Sequence, residues 1–423
     1  MQLSPSINKK DFINTFLLIM LYGLGVYGVQ LLFHHIGIFS NFPTSENLVA
    51  WDASWYESIA RTGYKYSDSI QSNTGFFYLL SFIWKVSGWG ICLVNLFFFA
   101  TGFSLLCSML RLPVRDKVLW LTMPSVIFAL VPYAEALFFL LTTLCVYGIT
   151  ANKRWLIWMS LFLLSLTRAT AIFVVPAFLC MELTANPREQ WLKSVLRYLQ
   201  VYVLPALAGL GLFILIQYQQ THVWFAYFVA QSVFWKRVFT IPIFPLINST
   251  GTRTILLNAL ALFACFTAFI FTVTIFVQWL LRNKQRDRAL VLSMCYLAVT
   301  LLTALFYSPQ WMTGATDVIG AFRYAMLNPF FYIFLHYFTR QLQYRWQHYL
   351  LAFLFASGVW MAFGAYVHLQ AFLFFATNTV MIMLYMLTSN RKLEWPAIIL
   401  TMINVLIQVH LFQQFIGRIA LVD

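Results

Sequence analysis

Carboxylates and aromatic side chains are concentrated in residues 51–64, directly after the first long apolar segment. Asp52 and Glu57 are two of only 13 acidic residues in a chain of 423. If this stretch is helical, Asp52, Tyr56 and Ile59 share one face at spacings of four and three residues. A carboxylate that a helix holds at a membrane surface is partly desolvated and can act as general base for a hydroxyl. The alternative is a solvated loop. The aromatic residues of the stretch that we take as candidate substrate contacts are Trp51, Trp55, Tyr56 and Tyr64.

A second carboxylate, Glu135, lies in residues 132–138 at the turn of a hydrophobic hairpin, and Arg168 lies at a later turn. Ionisable residues at membrane depth are costly, so each needs a partner or a function. We therefore predict a Glu135–Arg168 pair, which would either take part in the site or hold the two hairpins together.

Cations that could clamp a phosphate occur in two further loops. Residues 231–237 include Gln231, Trp235, Lys236 and Arg237, and a later loop ends in Asp317 and Arg323. Arginine grips phosphate in a bidentate manner, so these cations could bind an anionic group. For Lys236 and Arg237, an interfacial anchor pair is an equal alternative. Arg323 is the more suggestive because it opens a membrane helix from the outside, against the usual charge bias.

The motifs of soluble nucleotide and metal chemistry do not occur in this sequence. There is no phosphate-binding P-loop, no dinucleotide fingerprint and no His-Glu-x-x-His. All six cysteines fall inside apolar segments without zinc-ligand spacing, so we read them as core residues. We expect no metal and no cofactor, and a donor that is itself a membrane lipid.

The composition is that of an all-α polytopic membrane protein. Hydrophobic residues make up 61% of the chain and charged residues only 9%, against roughly 25% in soluble domains. The net charge of +14 is scattered in short groups between apolar segments, which argues against nucleic-acid binding and for topology signals. The first apolar segment, 12–34, is too long for a signal peptide and is expected to stay as a helix.

Hydropathy predicts about thirteen membrane helices in a single domain, 1–423. The splits at Pro132 and Arg168 are open, since each pair could be one long kinked helix. The predicted segments are 12–35, 89–110, 118–132, 134–151, 154–167, 169–183, 198–218, 254–281, 288–307, 323–338, 348–368, 370–388 and 395–417.

With a cytoplasmic N-terminus, the positive-inside rule is satisfied at every inner loop. The inner loops then carry 18 of the 27 basic residues: Lys9, Lys10, Arg111, Arg115, Lys117, Lys153, Arg154, Arg188, Lys193, Arg197, Arg282, Lys284, Arg286, Arg288, Arg340, Arg345, Arg391 and Lys392. The outer face receives loops 36–88, 219–253 and 307–322, which hold the candidate residues. Residues 75–85 are apolar but too short to span, which suits a re-entrant or interfacial helix under the first loop.

These residues resemble the PIG-V family, the second mannosyltransferase of GPI-anchor assembly. Residues 51–64, followed by residues 76–80, are similar to the first lumenal loop of that family, which has Trp-Asp, an aromatic, Ile-Ala, Gly-Tyr and then Phe-Phe-Pro-Leu. Residues 132–138 resemble its Pro-Tyr-x-Glu-x-Leu-Phe element, and Arg168 falls where it has an Arg. The likeness covers about the first 170 residues, and Tyr78 stands where the family has Pro.

The resemblance implies a GT-C glycosyltransferase whose catalytic core spans 12–218, with C-terminal helices and outer loops in 219–423. It implies a polyprenyl- or dolichyl-phosphate sugar donor, a glycan or lipid acceptor, Asp52 as base with inversion, and arginines that stabilise the leaving phosphate. It further implies a prokaryotic inner membrane with the site outside, or the endoplasmic reticulum in a eukaryote. The competing prediction is a lipid or glycan transporter or flippase, although the sequence contains no convincing internal repeat.

Overall fold

The computed structural model describes residues 3–67, 70–169, 171–249, 254–309, 314–364 and 369–418. In these ranges the chain is helical, and β-structure is limited to two isolated bridges, Arg237 with Pro309 and Ile247 with Asp317. The described residues thus agree with the predicted all-α class.

Nineteen α-helices are present in the described ranges. In chain order they are α1 Lys9–His35, α2 Asp52–Thr62, α3 Tyr78–Ser87, α4 Ile91–Leu110, α5 Val114–Leu121, α6 Ile127–Leu130, α7 Glu135–Thr150, α8 Arg154–Leu164, α9 Ala171–Thr184, α10 Trp191–Tyr198, α11 Leu204–Thr221, α12 Ala226–Val233, α13 Ile255–Arg282, α14 Arg288–Phe306, α15 Ala321–Met326, α16 Pro329–Arg340, α17 Trp346–Ala362, α18 Leu369–Leu387 and α19 Trp395–Ile416.

Six helical segments in the described residues are long and apolar enough to cross a membrane: Lys9–His35, Tyr78–Leu110, Arg188–Thr221, Ile255–Arg282, Arg288–Phe306 and Trp395–Ile416. A seventh is counted if Pro124–Leu130 and Glu135–Thr150 form one bent span. By length and composition the protein is therefore a multi-pass membrane protein with six or seven candidate spans. The predicted count of thirteen membrane helices is not confirmed.

The chain breaks its helices at both positions that the sequence left open. Helix α6 ends at Leu130 and α7 begins at Glu135, with a bend of 101° between them. Pro132 lies in this break, where its missing N–H and its ring oppose a continuous helix. Helix α8 likewise ends before Arg168, and α9 begins after it.

The predicted continuous segment 118–132 is wrong. The structure divides it between α5, a 3₁₀ turn Pro124–Val126 and the single-turn helix α6. Pro124 explains one interruption, because proline is accepted at the start of a helical turn but not inside it. The predicted segment 323–338 is also divided, since Pro329 begins a new helix after α15.

The first outer loop contains the two short helices that the sequence indicated. Helix α2 buries Ala53, Tyr56, Ile59 and Ala60 on one face. Gly63 follows its last residue with a φ of 74°, a backbone conformation that residues with a side chain rarely adopt. Helix α3 covers most of the predicted 75–85 segment. Together they carry Asp52 against the ends of the longer helices.

Polar loops meet at two separate ends of the molecule. Lys117 pairs with Asp11, Arg340 with Asp116, and the guanidinium of Arg115 donates to the carbonyl of Leu393, so predicted inner loops contact one another. At the other end, predicted outer loops meet: the Tyr64 N–H donates to Gln220 Oε1, Gln231 donates to the Gly75 carbonyl, and Ile247 donates to that of Thr316.

Candidate active site

Four elements bring charged side chains together at the end where predicted outer loops meet. Asp52 is the first residue of α2, and Glu135 is the first residue of α7 after the break at Pro132. Arg168 lies between α8 and α9, and Arg323 lies in the short helix α15. These residues are far apart in sequence, and the bend before α7 positions Glu135 to face the other three.

The four side chains form one buried ion network. Arg168 Nη1 lies 2.8 Å from Glu135 Oε1, so the predicted pair is present. Arg323 contacts the same Oε1 through Nε, and its Nη2 donates a hydrogen bond to Asp52 Oδ2. The two contacts at Oε1 are ion pairs without hydrogen-bond alignment. Two cations thus balance two anions in a region from which water is largely excluded.

Aromatic rings surround the two guanidinium groups. The Arg323 guanidinium carbon lies 4.9 Å from the ring centroid of Tyr133 and 5.2 Å from that of Tyr324. Arg168 lies 5.0 Å from the same Tyr324 ring. Cation–π contacts of this kind stabilise desolvated arginine by up to about 2 kcal/mol. The rings therefore help to hold both cations in place, while the carboxylates of Asp52 and Glu135 balance their charge.

A cavity of about 320 Å³ opens beside the network. The Asp52 side chain is 13% exposed and lines it, whereas Glu135 is 1% exposed and lies behind it. The residues that line the cavity and that carry the argument below are Asp52, Tyr56, Arg168, Phe173, Tyr227, Phe228, Gln231, Trp235, Arg237, Ala304, Asp317, Arg323 and Tyr324.

An aromatic cluster closes one side of the cavity. The Trp55 ring stacks on Phe76 with centroids 5.9 Å apart, and Trp235 meets Phe76 edge-on at 5.7 Å. Burial raises the pKa of the Tyr56 and Tyr227 hydroxyls, both of which line the cavity. Both phenols stay neutral at ordinary pH and can donate or accept hydrogen bonds to a sugar.

The structure brings together some of the residues that the sequence singled out and separates others. Those lining the cavity are Asp52, Tyr56, Arg168, Gln231, Trp235, Arg237 and Arg323. Trp51, Trp55, Glu57, Tyr64, Glu135 and Lys236 are outside the lining. The cavity also draws on both the 12–218 and the 219–423 parts of the chain.

Three of the residues that lie outside the cavity lining have other local environments. Glu57 pairs with Arg61 one helical turn away, at 2.6 Å. Tyr64 is buried and donates to the Phe76 carbonyl at 2.9 Å, which ties α2 to the start of α3. Lys236 is exposed, while its neighbour Arg237 enters the cavity. Only one member of the predicted cation pair can therefore reach a ligand there.

Sequence reasoning missed the role of Arg323 as the bridge between Asp52 and Glu135. It treated Arg323 as a free cation for phosphate, but two carboxylates already occupy its guanidinium. It also overlooked Tyr227 and Tyr324, and it named Asp317 without giving it a role, although all three line the cavity. The charge of Arg323 at an outer helix start was the available signal, since such a cation needs an anionic partner.

In the part of the chain that the structure describes, no three His, Cys, Asp or Glu side chains lie close enough to hold a metal ion. The cavity cation that no described carboxylate pairs with at ion-pair distance is Arg237, and it is the residue suited to a phosphate.

Replacing Glu135 with Gln is expected to lower the free energy of unfolding by about 3–5 kcal/mol, because it leaves two buried guanidinium groups with the single carboxylate of Asp52. The midpoint of thermal unfolding in detergent measures the loss. Glu57→Gln is the matched control and should cost below about 1 kcal/mol, because its partner Arg61 is 63% exposed and the pair joins successive turns of one helix. Equal midpoints for the two variants would contradict a network that carries stability.

Comparison of the chain with family models, with curated proteins and with solved structures finds no match.

Proposed function

We propose that this chain is an integral membrane glycosyltransferase of the GT-C type, similar to the PIG-V mannosyltransferases. It would move a hexose, mannose on the PIG-V resemblance, from a polyprenyl-phosphate donor to a hydroxyl of a lipid or glycan acceptor. The observation that carries the proposal is Asp52, a carboxylate at the wall of a cavity that is also lined by arginine. A base and cations within one cavity are what glycosyl transfer from a phosphate requires.

The proposed reaction uses Asp52 as general base. The acceptor oxygen forms a bond to the anomeric carbon as the bond from that carbon to the phosphate oxygen breaks, with inversion. The acceptor proton passes to Asp52, and the electron pair leaves with the polyprenyl phosphate. Arg323 holds Oδ2 of Asp52, which orients the carboxylate so that Oδ1 is the oxygen available to the proton.

Arg237 is the proposed partner of the leaving phosphate. Arg168 and Arg323 share the two carboxylates of the network, so their charge is already balanced. Arg237 lines the cavity, and no described carboxylate lies within ion-pair distance of it. Its guanidinium can therefore stabilise negative charge that develops on the phosphate. Arg168 would contribute less, because Glu135 already balances its charge.

The apolar surroundings of the cavity favour a lipid-linked donor. Phe173, Phe228 and Ala304 line it. In the neighbouring loop, the side chains of Phe239 and Ile241 are 76% and 79% exposed, an arrangement that is costly in water but natural in lipid. An isoprenoid chain could follow this surface while its phosphate reaches Arg237.

Thirteen traversals and an outward-facing site belong to the same proposal. The meeting of predicted inner loops at one end and outer loops at the other supports this topology, even though several helices are shorter than a full span. Basic residues concentrate at the end away from Asp52, which favours a cytoplasmic N-terminus and a site outside the cytoplasm. The membrane would be the inner membrane of a prokaryote, or the endoplasmic reticulum of a eukaryote.

A cysteine introduced into the first outer loop should react with a reagent added outside intact cells. We expect Ser45→Cys, an exposed position in the first outer loop, to be labelled by a membrane-impermeant maleimide without permeabilisation. Asn390→Cys, exposed at the opposite end, should be labelled only after permeabilisation. The unsubstituted protein gives the background of the six native cysteines. The reverse pattern would refute the orientation.

Asp52→Asn should reduce transfer of radiolabelled mannose from polyprenyl-phosphate mannose by at least about 100-fold, because the base is lost. Glu57→Gln, which removes a carboxylate from the same helix but outside the cavity, should retain transfer. A gel-filtration profile like that of the unsubstituted protein establishes that the Asn variant is folded. Undiminished transfer by a folded Asp52→Asn protein would exclude the catalytic role, and substrate uptake by proteoliposomes without transfer would favour a transporter.

Substitutions of the adjacent cations Lys236 and Arg237 should differ in their effect on kcat/KM for the donor. Arg237→Gln is expected to lower kcat/KM for the polyprenyl-phosphate sugar by about tenfold or more, because a charge-assisted contact to the phosphate is lost. Lys236→Gln should leave kcat/KM within about twofold, because Lys236 is exposed and outside the cavity lining. Equal losses in both variants would indicate a general surface-charge effect instead of a phosphate site.

A further inference from the structure

A second carboxylate, Asp317, faces the cavity without a role in the reaction above. It lies in the loop between α14 and α15, is 2% exposed, and lines the same cavity as Asp52. It takes no part in the ion network of Asp52, Glu135, Arg168 and Arg323. A buried carboxylate in a ligand-sized cavity calls for a partner.

The backbone fixes the Asp317 side chain firmly. Ile247 donates to the carbonyl of Thr316 at 2.9 Å, and Val318 donates to the carbonyl of Ile247 at 3.0 Å. These two bonds join the second and third outer loops. Oδ1 of Asp317 accepts hydrogen bonds from the backbone N–H groups of Ser249 and Ile319, at 3.3 and 3.1 Å.

The other oxygen of this carboxylate is unsatisfied. Oδ2 is buried and makes no hydrogen bond to any residue that the structure describes. Burial raises the pKa of Asp317 above its ordinary value, and the hydrogen bonds from Ser249 and Ile319, together with the nearby charge of Arg237, lower it only in part. An unpaired buried polar atom is a rare and costly feature, and in a cavity it marks a place that a ligand can complete.

We propose that Oδ2 of Asp317 accepts a hydrogen bond from a hydroxyl group of the acceptor substrate, one that is not the attacking hydroxyl. This inference rests on the proposed glycosyl transfer and adds the acceptor side of the cavity to it. The chemistry of Oδ2 selects the ligand: a carboxylate repels the donor phosphate but accepts from an O–H group. Asp317 would therefore position the acceptor, while Asp52 takes the proton and Arg237 holds the phosphate.

Asp317→Asn separates this role from the others. The Asn side chain keeps the oxygen that accepts from Ser249 and Ile319, and it replaces Oδ2 with a group that can no longer accept. Two rates are measured on the purified protein with radiolabelled polyprenyl-phosphate mannose. One is transfer to an added total lipid extract of the host membranes, and the other is slow hydrolysis of the donor by water without extract.

We expect Asp317→Asn to raise the extract concentration needed for half-maximal transfer by about tenfold, since a buried hydrogen bond to a charged group is lost. Hydrolysis should stay within about twofold, because water needs no positioning by Asp317. Asp287→Asn is the matched control. That aspartate also accepts from a backbone N–H, of Leu290 at 3.0 Å, but it lies outside this cavity.

A stability readout excludes a purely structural role. Removal of an unpaired buried charge should leave the thermal midpoint of Asp317→Asn equal to, or above, that of the unsubstituted protein. A lower midpoint together with equal losses of transfer and hydrolysis would overturn the inference, and so would transfer that is unchanged. If the unsubstituted protein neither transfers nor hydrolyses the donor, the proposed function itself fails and the inference fails with it.

Discussion

The contact of one guanidinium, that of Arg323, with the carboxylates of both Asp52 and Glu135 is the interaction on which the site depends. A charge in a low-dielectric interior is tolerated only when it is paired and its partners are held in place. Because Arg323 shares Glu135 with Arg168, none of the four residues can be moved alone without leaving a charge exposed to an apolar environment. The elements that carry them must therefore meet at one point.

The need to bring these four residues together explains the interrupted helices around them. Glu135 faces the network because the chain turns sharply after α6, and Arg168 does so because it lies between α8 and α9 instead of within a continuous helix. Short helices such as α15 give up part of their own stability, which most helices obtain by packing along their length. The ion network and the rings of Tyr133 and Tyr324 supply the compensating contacts.

The sequence predicted features that follow from local spacing or from the cost of a single charge, but it did not predict contacts between distant segments. The shared face of Asp52, Tyr56 and Ile59 followed once residues 51–64 were taken as helical, and the Glu135–Arg168 contact followed from the cost of single charges at membrane depth. The bridge from Arg323 to Asp52 joins residues 271 positions apart, and no periodicity predicts such a contact. Adjacent Lys236 and Arg237 looked equivalent, but the backbone turn at Lys236, with a φ of 49°, leaves only Arg237 in the cavity.

Asp52, Asp317 and Arg237 differ in the hydrogen-bonding atoms that they leave available to a ligand, and this difference orders the cavity. Asp52 has one oxygen engaged by Arg323, and Asp317 has one oxygen engaged by backbone N–H groups, so each presents a single oxygen in a defined direction. Arg237 presents a guanidinium that no described carboxylate neutralises at ion-pair distance. A substrate pair with one anionic and one hydroxyl-bearing member fits these groups better than two anions or two neutral molecules, because only that pair completes all three.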